Sequence, residues 1–106
     1  MKRLLLLDAL LVATQPAMAA YKFLLPRAVD GTLKCLDTMI RNDCAAAERA
    51  LDSLRSYANC KGNAMCGANA VLPLVDIGMM QVGILPTEDE KLKIFEYLGE
   101  MEERCK

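Results

Sequence analysis

Apolar and polar positions separate most cleanly between Cys44 and Asn59. Cys44, Ala47, Leu51, Leu54 and Ala58 recur at 3-4-3-4 spacing, while Glu48, Arg49, Asp52, Arg55 and Ser56 fall on the other side. That period predicts an amphipathic helix with a narrow apolar seam and a solvated charged face. Asn42-Asp43 just before it predicts a turn, with Asp43 as the N-cap. Upstream, Val29, Leu33, Leu36 and Ile40, with Met39 beside them, predict a helix from about Arg27 to Arg41. Gly31 weakens that helix, and Thr32 is an alternative cap. Tyr21 to Leu25 reads as a short apolar arm, or as the lead into a helix with Pro26 at its first position.

The next stretch, Gly62 to Thr87, is different in kind. Asp76 is its only charged residue. A run so poor in charge predicts the centre of the core, buried against the amphipathic helices on either side. Pro73 either kinks one long helix there or starts a second, because it lacks a backbone donor. Gly78 and Gly83 would let a neighbouring backbone approach closely. Asn59 to Gly67 is expected to be a loop. Thr87 followed three residues later by Glu90 is a capping box that opens a last helix. Leu92, Phe95, Leu98, Met101 and Cys105 are its expected buried side. The fold class is therefore all-α, a small four-helix bundle.

The beginning of the chain changes the picture of where this bundle works. MKRLLLLDALLVATQPAMAA has a basic start (Lys2, Arg3), an apolar stretch (Leu4 to Ala13), a helix breaker (Pro16) and the small-x-small pattern Ala17-Met18-Ala19. It reads as a cleavable signal peptide, residues 1–19, ahead of a single helical domain, residues 20–106. Asp8, Gln15, Pro16 and Lys22 argue against a membrane span. Without Lys2, Arg3 and Asp8 the chain carries 11 basic and 13 acidic side chains, a net of -2. The expected location is periplasmic or secreted.

All five cysteines lie beyond residue 19, and a small exported domain rich in Cys reads as disulfide-stapled. If the last two helices are antiparallel about Pro86, Cys66 and Cys105 stand level and can pair. Such a bond closes a loop of about forty residues, worth on the order of 3–4 kcal/mol. Cys35 and Cys44 flank the first turn and form the second candidate pair, provided the first helix ends early. Cys60 is left as the unpaired candidate, although it could instead replace Cys66 as the partner of Cys105.

Candidate chemistry is sparse. With no His there is no imidazole base, nucleophile pair or zinc ligand. The two serines, Ser53 and Ser56, have no base beside them, and no glycine-rich phosphate loop follows a strand. A net charge of -1 lacks the basic footprint of a nucleic-acid binder. No cofactor or metal is expected, and the chain is not read as an enzyme. Sulfur ligation of copper by Met65-Cys66 and Met79-Met80 is weaker than core packing as an account of those residues. Asp76 is expected at an exposed helix edge, or near the positive end of a helix that starts at Pro73.

What remains is binding. Glu88, Asp89 and Glu90 suit a helix N-terminus, but Glu100, Glu102 and Glu103 sit where they oppose the helix dipole. That misplacement marks an acidic contact patch for a basic partner. The expected function is a small exported binding protein, such as an inhibitor or immunity protein or an accessory subunit of an envelope complex. The rival is a carrier of a lipid or other small apolar ligand, with Met79, Met80, Val82 and Ile84 lining a cavity of roughly 300 Å³ or more.

Overall fold

The computed structural model describes residues 16–106, with side chains from Ala20 onward. Met1 to Gln15, which hold most of the expected signal peptide, lie outside the described residues. The described residues form four helices: α1 (Pro16–Thr38), α2 (Arg41–Cys60), α3 (Ala64–Gln81) and α4 (Glu88–Arg104). No strand occurs among them. α2 packs on α1 and on α3, α3 packs on α4, and α4 returns only lightly to α1.

α2 is the centre of this arrangement. Its expected seam is its observed one: Cys44, Ala47, Leu51, Leu54 and Ala58 are all buried. Leu51 and Leu54 are among the largest fully buried side chains, each worth on the order of 2 kcal/mol of apolar transfer. The charge-poor stretch is therefore not the core centre that its composition predicts. α3 buries one face only, through Cys66, Gly67, Ala70, Pro73 and Ile77. Met65, Leu72, Val75, Met79, Val82, Ile84 and Leu85 are exposed. α3 packs on α2 and α4, and the apolar side chains that face neither remain in water.

Several boundaries differ from the sequence expectation. α1 runs straight through Tyr21 to Pro26, so the arm is helical and Pro26 lies inside the helix. An interior proline costs about 3 kcal/mol of intrinsic helix preference. Packing overrides it, because Tyr21 before Pro26 and Ala28 and Val29 after it are all buried. Pro73 is likewise internal to one continuous α3. α1 ends at Thr38 rather than Arg41. Met39 turns the chain with φ 55°, and its N–H donates to the Cys35 carbonyl at 2.8 Å, a left-handed helix stop. Leu33 and Ile40, expected in the first seam, are exposed. Thr32 is no cap: it is buried mid-helix, donating its hydroxyl to the Ala28 carbonyl at 2.7 Å.

α2 begins at Arg41, so Asn42 and Asp43 are in its first turn, and Ile40 stands at the N-cap without a side-chain bond. Asp43 instead accepts from the Thr38 hydroxyl at 2.7 Å and pairs with Lys34 at 3.6 Å. The expected Asn59 to Gly67 loop shrinks to residues 61–63, with Gly62 at φ 75°. Gly78 and Gly83 both face open space; the position where α1 and α2 come close is Gly31, where an added Cβ would lie 3.4 Å from the Ala47 Cα.

Candidate functional site

The cysteines are placed by the helix pairs. Cys35, on the last turns of α1, bonds Cys44 on the first turn of α2, with Cα atoms 4.5 Å apart. The early end of α1 brings the two level. Cys66, at the start of α3, bonds Cys105, just past α4, with Cα atoms 4.9 Å apart. Cys60 is free and exposed at the end of α2. Cys66 is thereby closed to copper, and no group of three or more His, Cys, Asp or Glu that could hold a metal ion occurs among the described residues.

The polar end beside Cys66 is held by one side chain. Asn63 caps α3 by accepting from the Cys66 N–H at 3.1 Å. Its amide donates to the Arg104 carbonyl at 2.8 Å and to the Tyr21 hydroxyl at 3.3 Å. Tyr21 in turn stands edge-on to Tyr57, with ring centroids 5.0 Å apart. α1, α2, α3 and α4 thus meet around Asn63.

α4 carries the acidic candidates. Thr87 and Glu90 form the capping box: the Glu90 N–H donates to the Thr87 hydroxyl at 3.2 Å, and the Thr87 N–H donates to the Glu90 carboxylate at 3.1 Å. Hydrogen bonding from Thr87, its backbone N–H first and its side chain second, holds the Glu90 carboxyl below its ordinary range. Glu88 pairs with Lys91 at 3.4 Å, and Glu100 with Arg104 at 3.6 Å. Asp89, Glu102 and Glu103 are exposed, without an ion pair to any of the described residues.

The buried seam of α4 differs from the expected one. Ile94, Leu98, Met101 and Cys105 are buried, while Leu92 and Phe95 are exposed. The helix has two apolar stripes, and the Ile94 series, at 4-3-4 spacing, was the signal that could have separated them. The outward stripe sets Leu92 and Phe95 among Glu88, Glu96, Glu102 and Glu103, all exposed. Apolar anchors ringed by carboxylates can bind a surface that is apolar at its middle and basic at its rim.

Asp76 is neither at an exposed edge nor near a helix start. It is half-buried, in a groove between α3 and α4 with Leu72, Val75, Glu90, Lys93 and Tyr97. Burial raises its carboxyl above the ordinary range, the Glu90 charge adds to this, and Lys93 opposes it. Of the four side chains expected to line a ligand cavity, Met79, Val82 and Ile84 are exposed. Met80 lines an open groove of about 220 Å³ shared with Met39 and Leu85. No helix among the described residues is long and apolar enough to cross a membrane. No known family, characterised protein or solved structure matches the chain.

Proposed function

We propose that the protein is exported and acts by binding another protein through the outward face of α4, with no catalytic step. The observation that carries this reading is the exposure of Leu92 and Phe95 amid carboxylates, of which Glu102 and Glu103 make no ion pair with the described residues. An aromatic left in water on a helix held by a disulfide and a capping box is a rigid anchor, ready to be desolvated by a partner. The partner presents an apolar pocket with Lys or Arg at its rim. Export is supported by the signal-like start of the sequence and by two disulfides, which suit an oxidising compartment. An inhibitor or an envelope accessory subunit fits this description.

The test is capture of the partner by the tagged protein from its own envelope fraction or culture fluid, followed by binding kinetics of the purified pair. Phe95→Ala is expected to weaken binding by tenfold or more, about 1.4 kcal/mol. Glu96→Lys with Glu103→Lys should slow association and flatten its salt dependence. A captured protein whose affinity ignores both changes would remove α4 as the docking face. Mass spectrometry of the exported chain should find Ala20 at its start.

A further inference from the structure

One end of the molecule is apolar in a way that neither helix packing nor the α4 face explains. There the α1–α2 turn and the α3–α4 connection lie side by side, with the Gln81 amide donating to the Arg41 carbonyl at 3.4 Å. Met39, Ile40, Met79, Val82, Ile84 and Leu85 are all exposed at this end. Four of them are more than half in water: Ile40 55%, Val82 75%, Ile84 53% and Leu85 66%.

The charges beside the patch identify its occupant. Arg41 opens α2, where a cation opposes the helix dipole, and it ion-pairs with no carboxylate of the described residues. Asp89, equally unpaired, lies in the first turn of α4. α3 packs between α2 and α4, so its final residues and the connection that follows separate the two charges. We propose that this end docks on the same end of a second copy of the chain. A two-fold axis through the apolar patch sets Arg41 of each copy against Asp89 of the other and covers all six apolar side chains. An anionic lipid surface does not fit, because Glu88, Asp89 and Glu90 fringe the same patch. This inference goes beyond the α4 reading and uses a different surface.

Sedimentation velocity on the full chain carrying Cys60→Ser, which prevents a thiol-linked artefact, is the test. A dimer is expected, with a dissociation constant on the order of 10 µM. Leu85→Glu or Val82→Glu should weaken it at least tenfold with an unchanged helical circular dichroism spectrum. Arg41→Glu and Asp89→Arg should each weaken it, and the two together should restore it. Phe95→Ala should leave it intact, which separates this outcome from the fate of the α4 reading. A monomer at all concentrations would overturn the proposal, as would a dimer indifferent to Leu85→Glu or unrestored by the double reversal. A monomer that floats with neutral phosphatidylcholine vesicles would assign the patch to lipid instead.

Discussion

Gly78 and Gly83 stand five residues apart, and an added Cβ would meet nothing within 4 Å at either. Space therefore does not distinguish them; backbone conformation does. Gly78 lies inside α3, where alanine removes unfolded-state freedom and improves helix preference. Gly83 turns the chain at φ 90°, which an L side chain resists. Gly78→Ala is expected to stabilise by about 0.5–1 kcal/mol and Gly83→Ala to destabilise by about 1 kcal/mol, both measurable by urea unfolding. Asp76 gives a prediction in pH. Its raised carboxyl means that the folded state disfavours the ionised form more than the unfolded state does. Stability is thus greater where the group is protonated, and is lost as pH rises through its ionisation. Asp76→Asn should raise the melting temperature at neutral pH, and the gain should close as pH falls below the ordinary carboxylate range. A gain of equal size at acid and neutral pH would mean that the charge is not its source.

Among the elements, α2 could be read from sequence because each apolar position has a charged one opposite, so a single seam satisfies the pattern. α3 and α4 could not be read so directly. Both carry more large apolar side chains than one face can bury, and period alone does not say which stripe faces the core. On α4 the choice falls to Ile94, Leu98 and Met101, leaving Leu92 and Phe95 outside; on α3 it falls to Ala70 and Ile77. Charge poverty was thus a poor guide to burial in α3, and the residues it misplaced are the ones that make the candidate surfaces. Boundaries were misjudged where a tertiary contact outweighs a local signal. Pro26 and Asp43 are cases, the first carried by buried neighbours and the second drawn to Thr38 and Lys34. Asn63 is the element-level counterpart, since one short side chain closes the termini of α3 and α4 at once. Asn63→Ala removes the cap and frees the Arg104 carbonyl, so a loss of about 1–2 kcal/mol is expected. Asn63→Asp keeps the capping acceptor but loses the donor to Arg104, and should fall between the two. Equal unfolding midpoints for Asn63→Ala and the parent would show that neither bond matters.

Across the whole molecule the two disulfides define a pair of covalently closed hairpins, α1–α2 and α3–α4, and neither bond crosses the α2–α3 contact that joins them. The pairing was accessible from sequence once helix order was assumed, because Cys66 and Cys105 are nearly equidistant from Pro86. The Cys35–Cys44 bond further required α1 to stop at Thr38, which no local cap signals. The two bonds are expected to differ in worth. Their sequence separations are 39 and 9 residues, and the chain-entropy relation assigns about 4 kcal/mol to the longer loop and about 3 kcal/mol to the shorter. Cys66→Ala with Cys105→Ala should therefore destabilise by about 1 kcal/mol more than Cys35→Ala with Cys44→Ala. The α2–α3 contact has no covalent bond across it and relies on packing and the Gln81–Arg41 hydrogen bond, with Leu51 and Leu54 buried in the core that α2 contributes. Leu54→Ala is expected to cost about 2–5 kcal/mol with both disulfides intact, because no crosslink limits the separation of the hairpins. If that contact is the weak plane, hydrogen exchange in Leu54→Ala should rise along α2 and α3 together while the amides around each disulfide keep their order of protection. Exchange that rises first around Cys35 and Cys44 would place the weakness inside a hairpin instead.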